Sequence, residues 1–313
     1  MNIAADKGTG KLCIGHSNIQ GGLTSLGKSV QVKNFIHDNM LDICSINETN
    51  LTSCVSTQQL NLPENYEFIR CDRSSDVSRG GCGIIINKFI KHKELGKLES
   101  LGVNIVDLDK IEASWLHLKE ENIYICSFYR SQLFCPLNIF LAYIVACMLK
   151  LGSKKVIWIG DINVDQRKIL ETDYKELDLI LKMFGLVQPV NSVTRRAMLN
   201  GKLTESTIDV IFTNCYSSFL SLNVLNHKIG DHQSIVGKLD FNVSKADKFK
   251  KLQIRDHCLK NLSSMFNYLA YCIDFDSIIN CQDVNEALGI LMAHINAAYE
   301  HFCPIKTIKT HGH

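Results

Sequence analysis

The sequence predicts a layered α/β or α+β domain whose sheets are buried on both faces, followed by a tail of different composition. Three observations support this fold class. Short β-type runs outnumber helical patterns, many runs are apolar at consecutive positions, and the composition changes after Phe241. A strand with one face in water alternates between apolar and polar residues, so consecutive apolar positions indicate cover on both faces. Further layers of structure on each side of a sheet provide that cover.

The predicted elements alternate along the chain in a way that suits such a domain. The β-type runs are Leu12 to Gly15, Ile43 to Ile46, Gly83 to Ile86, Glu112 to Leu118, Ile123 to Tyr129, Val156 to Ile159, Ile208 to Phe212 and Ser234 to Leu239. Apolar residues recur at intervals of three and four, the helical spacing, in Val30 to Met40, Leu137 to Leu151 and Tyr174 to Phe184. We therefore expect a first domain over residues 11–241.

Residues 242–313 form the second predicted region, which begins with a charged and solvated stretch, Ser244 to Lys251. Two helical patterns follow, Leu259 to Cys272 and Val284 to Phe302. A linker with a helical hairpin is the simplest interpretation of this tail.

Composition and charge exclude some classes of protein. The net charge is only +2, from 34 Lys plus Arg against 32 Asp plus Glu, so a polyanion would be bound by local basic patches. The 13 cysteines form no C-x-x-C pair and do not have the Cys/His spacing of a zinc site. Many lie in apolar runs, where a free thiol behaves as a small hydrophobic residue. We therefore expect reduced cysteines in the core of an intracellular protein. The longest apolar run, Phe140 to Leu149, is too short to cross a bilayer. No membrane association is predicted.

Polar side chains occur at the ends of the predicted strands, where a rigid backbone presents them to solvent or to a ligand. They are Asn18, Glu48, Tyr129, Arg130, Asp161, Asn163, Asp209, Asp231 and His232. Taken singly, most have ordinary explanations: Asn18 as a turn residue, Asp161 with Asn163 as an Asx turn or helix N-cap, Glu48 as a loop carboxylate, and His232 as a surface or core histidine. Asp209 is different, because a charge between Ile208 and Val210 requires a cation, a histidine or several donors.

Taken together, these residues match metal-assisted hydrolysis of a phosphodiester. Glu48 is a hard oxygen ligand suited to magnesium, and Asp161 is suited to orient or deprotonate an attacking water. Asn163 supplies an amide donor that does not repel a phosphate. Asp209 is suited to hold the ring of His232, whose other nitrogen then donates to a phosphoryl oxygen.

The ordered series resembles the endonuclease/exonuclease/phosphatase superfamily and, within it, the apurinic-type endonuclease domain of LINE-like non-LTR retrotransposons. The matching features are Asn18, Glu48, Tyr129, the GDIN motif from Gly160 to Asn163, the STID motif from Ser206 to Asp209, the GDH motif from Gly230 to His232, the Gly-rich strand after Arg79 and the pair Thr194-Arg195. The closing stretch Ala297 to Lys309 is similar to the segment that joins endonuclease to reverse transcriptase in such elements. No Tyr-x-Asp-Asp polymerase signature occurs in the chain.

The resemblance implies a DNase I-like fold, a four-layer α/β sandwich of two packed mixed β-sheets flanked by helices. It also implies roles for individual residues. The catalytic residues would be Asp161, His232, Asp209, Tyr129 and Asn163. The metal site would comprise Glu48, Asn18 and Asp231. The residues in contact with DNA phosphates would be Arg79, Arg130, Thr194 and Arg195, with Arg73 and Arg196 as further candidates. The implied cofactor is Mg²⁺, with Mn²⁺ as the alternative. The implied partners are double-stranded DNA in the nucleus and a reverse transcriptase domain or element RNA.

Three departures from the family pattern bear on this interpretation. Gly230 replaces the usual Ser, Thr207 stands where a basic residue is frequent, and Ser131 stands where Pro often follows Tyr-Arg. Two alternatives also remain: a phosphoesterase of the same fold that acts on inositol phosphates or phospholipids, and a catalytically silent, domesticated DNA-binding module. The STID region lacks the Pro-Ala-Trp-Cys-Asp-Arg stretch typical of those phosphatases.

Overall fold

A computed structural model describes residues 10–73, 80–99, 102–103, 105–199, 201–243, 249–256, 258–273 and 275–311. The chain divides into two compact units, the first ending at Ala246 and the second beginning at Asp247.

The described part of the first unit contains three α-helices and two main β-sheets. The helices are α1 (Leu26–Asp38), α2 (Leu137–Leu151) and α3 (Thr172–Met183). The strands are β1 (Gly10–Asn18), β2 (Ile43–Asn47), β3 (Tyr66–Cys71), β4 (Cys82–Asn87), β5 (His92–Gly96), β6 (Glu112–Leu118), β7 (Ile123–Tyr129), β8 (Lys155–Asp161), β9 (Arg195–Leu199), β10 (Lys202–Ser206), β11 (Asp209–Thr213), β12 (Phe219–Lys228) and β13 (Gln233–Val243). One sheet has the order β12-β13-β1-β2-β4-β3 and the other β11-β8-β7-β6-β5, while β9 and β10 form a separate hairpin.

Each main sheet contains one parallel pair of strands, and this arrangement decides where the strand ends meet. β1 pairs with β2 in parallel after the crossover through α1, and β7 pairs with β8 in parallel after the crossover through α2. Parallel neighbours end at the same edge of a sheet. β11 runs antiparallel to β8, and β13 runs antiparallel to β1. β11 and β13 therefore begin at the edge where β8 and β1 end.

Consecutive apolar residues within the strands separate into different layers of the core. Ile84 and Ile86 pack between the two sheets with residues such as Ile125 and Ile157, whereas Ile85 faces α1 and packs with Phe35. This is the consequence of a two-residue strand period. A third cluster joins the second sheet to α2 and α3. There the rings of Trp115 and Trp158 meet edge to face with centroids 4.5 Å apart, next to Phe140, Phe128 and Leu177. The layers are therefore helix, sheet, sheet and helix, which confirms the predicted four-layer sandwich.

The predicted elements agree best with the structure where both faces are buried. In the first unit, β6, β7 and α2 have the predicted bounds, and the other strands and helices predicted there lie at shifted or extended bounds. The edge strands β3 and β5, the β9–β10 hairpin and β12 were not predicted. Their sequences are more polar, and β10 is largely exposed to solvent.

The second unit contains β14 (Phe249–Arg255), α4 (Leu259–Cys272), α5 (Phe275–Ile279), α6 (Val284–Phe302) and β15 (Ile305–His311). The bounds of α4 and α6 are those of the two predicted helical patterns. β14 and β15 pair in antiparallel fashion, which the sequence did not indicate. Met265, Ala298 and Cys303 are the buried residues of a small core in this unit. Among the described helices of the chain, none combines the length and the apolar character needed to cross a membrane.

Candidate active site

The layer between the two sheets changes from apolar to polar toward the edge where the strands end. The change occurs in five strands. In each, alternate residues that face the other sheet are isoleucines away from this edge and polar residues close to it. The series are Ile14, His16 and Asn18 in β1; Ile43, Ser45 and Asn47 in β2; Ile125, Ser127 and Tyr129 in β7; Ile157, Ile159 and Asp161 in β8; and Ile211 and Asp209 in β11. Because alternate residues share one face, these polar side chains gather in a single place. The cluster forms the candidate active site.

The backbone is held in an uncommon conformation at two of the predicted site residues. Glu48, immediately after β2, has φ 56°, and Asn163, two residues after β8, has φ 52°. Residues other than glycine rarely occupy the left-handed region, and such conformations are concentrated at functional sites. The strand-end loops therefore hold both side chains at the edge of the site.

Asn18 links the carboxylates of the two sheets. Its Nδ2 donates to Glu48 Oε1 at 2.9 Å and to Asp161 Oδ2 at 3.0 Å, while its Oδ1 accepts from the backbone of Gln20. The hydroxyl of Tyr129 also donates to Glu48 Oε1, at 3.2 Å. Since its amide nitrogen faces the carboxylates and its oxygen faces the chain, Asn18 orients the acidic groups and is not placed as an oxygen ligand.

Asp161 is buried and has donors on both carboxylate oxygens. Its Oδ1 accepts from the backbone N–H of Asn163 at 2.8 Å, and its own N–H donates to Asn47 Oδ1 at 2.8 Å. Burial and the neighbouring charge of Asp209 raise the pKa of Asp161 to about 7, against the opposing effect of His232 and the donors. Gly160 precedes it because a Cβ there would lie 1.9 Å from the carbonyl oxygen of Phe128. A carboxylate with a pKa near neutrality is suited to accept a proton.

Asp209 has the partners that its position in an apolar strand requires. His232 Nδ1 lies 2.8 Å from Asp209 Oδ2, and His16 Nε2 lies 3.2 Å from Asp209 Oδ1, with all three residues buried. Burial would raise the pKa of Asp209, but the charge of His232 and the two imidazole hydrogen bonds outweigh it and hold the pKa below the usual range. The pKa of His232 is raised to about 9, because the carboxylates around it, Asp209 above all, outweigh the effect of burial. His232 is therefore a cation at neutral pH.

Asp231 lies beside His232 on the opposite side from Asp209. Its Oδ2 accepts from Arg195 Nε at 2.9 Å. Its Oδ1 is buried without a hydrogen-bond partner among the described residues, and lies 3.5 Å from His232 Nε2. At Gly230, a Cβ would lie 2.9 Å from the Cβ of Gln20, whose Oε1 accepts from the N–H of Asp231. The glycine that replaces the usual serine thus makes room for Gln20.

The donor set fits a hard divalent cation. Glu48, Asp161 and His232 each offer one ligand atom, and these three atoms lie within 4.8 Å of one another. His232 is an unsuitable ligand, because its Nδ1 is bonded to Asp209 and a protonated ring has no free lone pair. Glu48 and Asp161 remain as carboxylate ligands, and Mg²⁺ commonly takes one or two carboxylates while keeping several waters. The buried, unbonded Oδ1 of Asp231 is a further oxygen that a cation would satisfy.

The predicted DNA-binding residues do not all lie where DNA could contact them. Arg130 is 4% exposed and donates to the carbonyls of Cys135 and Ile162. Thr194 is fully buried, and its Oγ1 accepts from the backbone N–H groups of Ile208 and Asp209 at 3.0 Å. The expected contacts of these two residues with phosphate do not fit this geometry. Instead, Thr194 fixes the start of β11 and thereby positions Asp209.

The other predicted basic residues differ in their availability. Arg73 forms two hydrogen bonds of 2.8 Å to the buried carboxylate of Glu112, so it too is held by the protein. Arg195 is partly exposed, and its pairing with Asp231 places it at the rim of the site. Arg196 pairs with Glu205, and Arg79 lies outside the described residues. Arg195 is the predicted residue best placed to contact a phosphate near the carboxylates.

Several residues of the site were not singled out from the sequence: His16, Gln20 and Lys28, together with Ser45, Asn47 and Ser127. Lys28, on α1, donates to the carbonyl of Ile229, and burial lowers its pKa although Asp231 and Glu48 oppose that shift. A signal existed for His16, because it directly follows the predicted strand Leu12 to Gly15, and a histidine buried there needs a partner. Nothing local to Gln20 or Lys28 indicates that a loop more than 200 residues further along the chain packs against them.

Comparison with known proteins supports this fold at low sequence identity. No family model matches the chain, and neither does any curated protein. Among solved structures, the endonuclease domain of TRAS1, a telomere-specific non-LTR retrotransposon, matches with a TM-score of 0.58 and 15% identity over 74% of this chain and 99% of that one. The AP endonuclease LMAP from Leishmania major matches with a TM-score of 0.57 and 12% identity over 73% of this chain and 87% of that one.

A third match is the 3′ phosphatase NExo from Neisseria, determined with a product DNA hairpin, with a TM-score of 0.51 and 14% identity over 74% of this chain and 100% of that one. The first unit therefore has the DNase I-like fold that these solved structures share. Proteins similar to it in structure include retrotransposon and apurinic-type endonucleases.

Proposed function

We propose that this chain is a magnesium-dependent endonuclease that hydrolyses phosphodiester bonds in DNA. The observation that carries the proposal is the convergence of Glu48, Asp161 and the Asp209–His232 pair at one edge of the sandwich, connected by the hydrogen bonds of Asn18. Each of these groups has a separate task in the attack of water on a phosphate.

Glu48 would hold the cation, and the unbonded Oδ1 of Asp231 is a second candidate ligand. When bound, Mg²⁺ would neutralise charge on the phosphate and polarise its P–O bonds. Mn²⁺ has the same preference for oxygen ligands and is the alternative. Asn18 and Tyr129 keep the carboxylate of Glu48 in a fixed orientation through their hydrogen bonds.

Asp161 accepts the proton of the attacking water. Its carboxylate is fixed by Asn18 and by the N–H of Asn163, so a water bonded to it is held in one direction. One N–H of the Asn163 side chain donates to the carbonyl of Arg130, and the second is available for a phosphate oxygen. Water then adds to phosphorus while the bond from phosphorus to the 3′ oxygen breaks, and that oxygen takes a proton from solvent to become the 3′-hydroxyl.

His232 stabilises the negative charge that develops on the phosphate oxygens. Its Nδ1–H is committed to Asp209, which leaves the Nε2–H, now 3.5 Å from Asp231 Oδ1, to donate to a phosphate. A fixed charged donor in a buried site stabilises developing charge strongly, because little solvent reorganises around it. Arg195, beside Asp231, supplies a second positive charge at the rim.

A role in the retrotransposition of a non-LTR element is the more specific part of the proposal. Its support is the ordered series of motifs, the tail segment Ala297 to Lys309, and the similarity to the TRAS1 endonuclease domain. In this role the enzyme nicks one strand of target DNA in the nucleus and leaves a 3′-hydroxyl. A reverse transcriptase domain, bound to element RNA, extends that end.

Plasmid nicking tests the proposal. Purified chain is incubated with supercoiled plasmid in Mg²⁺ or EDTA, and the new 3′ ends are offered to a DNA polymerase without phosphatase treatment. We expect Mg²⁺-dependent relaxed circles whose ends are extended at once. In a parallel reaction, an oligonucleotide with a 3′ phosphate distinguishes a phosphatase from an endonuclease. Loss of the phosphate without any nicking would contradict the proposal, as would the absence of both activities in folded, metal-replete protein.

A further inference from the structure

His16 occupies an unusual place for a histidine, two residues before the end of β1 and fully buried between the two sheets. Its ring is bonded at both nitrogens. Nε2 lies 3.2 Å from Asp209 Oδ1, and Nδ1 lies 3.1 Å from the hydroxyl of Ser45. Ser45 is itself bonded to the hydroxyl of Ser127 at 2.7 Å and donates to the carbonyl of Ile159 at 3.2 Å. The ring is therefore anchored to the interior through β2 and to the site through Asp209.

The direction of one hydrogen bond follows from the chemistry of its partners. An ionised carboxylate accepts and cannot donate, so the proton between His16 and Asp209 belongs to His16 Nε2. Asp209 consequently receives one imidazole N–H on each oxygen, from His16 on Oδ1 and from His232 on Oδ2. A carboxylate with only one of these donors could rotate about its Cβ–Cγ bond. With both, its plane is fixed.

We infer that His16 is a positioning residue for the Asp209–His232 pair. It holds Asp209 in the rotamer that places Oδ2 against His232 Nδ1, and through Asp209 it sets the direction of His232 Nε2–H. His16 touches neither the phosphate nor the water, so it is not a catalytic residue. The inference rests on the proposed function, in which His232 donates to the phosphate. Groups that orient a catalytic donor through one intermediate commonly affect activity by roughly 10–100-fold.

Two substitutions of His16 separate positioning from simple filling of the core. The amide nitrogen of Gln reaches about as far as Nε2 of histidine, whereas that of Asn reaches only as far as Nδ1. Both residues are polar and smaller than the imidazole ring. We expect His16→Gln to keep most of the wild-type kcat for nicking. We expect His16→Asn to lower kcat by roughly 10–100-fold with KM unchanged, because ground-state contacts with DNA are not involved.

His92 provides a matched control in the same unit. Its Nε2 lies 3.1 Å from Glu67 Oε1 and its Nδ1 lies 2.9 Å from the carbonyl of Ile90, so it also joins a carboxylate to the chain. His92→Asn and His92→Gln should both leave kcat unchanged. Should His16→Asn not fold, His16→Met retains buried volume without a donor and takes its place, with the same loss of kcat expected.

A double-mutant comparison identifies Asp209 as the route of the effect. If His16 acts through Asp209, His16→Asn should cost nothing further in kcat once Asp209→Asn is present. A histidine that only fills the core would lower kcat by the same factor in both backgrounds, and that result would overturn the inference. Equal kcat values for the Asn and Gln variants at position 16 would overturn it as well.

A measurement without DNA keeps this inference separate from the proposed function. The His232 Nδ1 proton should give a low-field ¹H NMR resonance, identified by its loss in His232→Gln. We expect the resonance to persist in His16→Gln and to broaden or vanish in His16→Asn. If the wild-type chain nicks no DNA, the proposed function fails, while this resonance still decides the role of His16. A resonance unchanged in His16→Asn would show that Asp209 needs no help from His16.

Discussion

Asp161 and Asp209 lie directly opposite each other across the antiparallel pair β8–β11, yet their pKa values are displaced in opposite directions. Both carboxylates are buried. Asp209 receives N–H donors from the cationic His232 and from His16, whereas Asp161 receives hydrogen bonds from amide groups and has the charge of Asp209 beside it. Two titratable groups separated in this way by their surroundings are suited to different tasks. Asp209 remains a permanent anion that orients His232, and Asp161 is left to exchange protons.

This separation predicts that Asp161→Asn lowers the nicking rate by roughly two to four orders of magnitude, because the amide cannot accept a proton from water. The side chain keeps its size, and the N–H of Asn163 still has an oxygen to bond. Single-turnover nicking of a plasmid measures the rate. Asp178→Asn, at a partly exposed aspartate on α3 that pairs with Lys182, is the matched control and should behave as wild type. Near-normal nicking by folded Asp161→Asn would remove Asp161 from the mechanism.

Glu48→Gln should raise the Mg²⁺ concentration needed for half-maximal nicking, since a neutral amide is a poorer ligand for a hard cation. The bonds from Asn18 and Tyr129 to Glu48 Oε1 can remain, because the amide oxygen also accepts. Mg²⁺ should also raise the melting temperature of the wild-type chain more than that of the variant, as binding to the folded state alone stabilises it. Glu120→Gln, which removes the carboxylate that pairs with the exposed Lys91, is the control. Identical Mg²⁺ curves for Glu48→Gln and wild type would contradict a ligand role.

The fold could be predicted where burial alone decides the structure. β6, β7 and α2 were found at their observed bounds, because predominantly apolar residues extend over most of their length. β3 and β5 lie at the edges of their sheets, and their mixed sequences form strands only because a neighbouring strand is present to pair with them. β12 did carry a signal, since Leu222 and Val224 alternate with polar residues and pack toward the core.

The site could be predicted in part for a related physical reason. Polar residues at the ends of parallel strands meet at one edge, so Asn18, Asp161 and Tyr129 could be grouped from the sequence. Exposure, in contrast, depends on distant parts of the chain. Arg130 and Thr194 sit among the predicted phosphate contacts in sequence, yet later segments bury both. His16 was missed because its partner, Asp209, is 193 residues away and no local pattern connects them.

Arg195 and Arg130 should respond differently to removal of the guanidinium. Arg195→Ala should weaken DNA binding and reduce the slope of log affinity against log salt by about one, as one phosphate contact disappears. Arg130→Ala should leave the slope unchanged and lower the melting temperature, because it leaves the buried carbonyls of Cys135 and Ile162 without their donor. Binding to a short duplex at several salt concentrations, with thermal unfolding alongside, measures both effects. A reduced salt slope in folded Arg130→Ala would contradict its assignment to the interior.

The raised pKa of His232 predicts how stability depends on pH in metal-free protein. Its pKa is 6.5 in the unfolded chain and about 9 in the folded protein, so folding favours the protonated ring. The resulting contribution, roughly 3 kcal/mol at most, is fully present below pH 6.5 and is lost as the pH rises through about 9. Urea unfolding in EDTA should therefore show wild type losing its advantage over His232→Gln across this interval. Because Gln does not titrate, a constant difference between the two proteins from pH 6 to pH 9.5 would mean that the ring is not charged in the folded state.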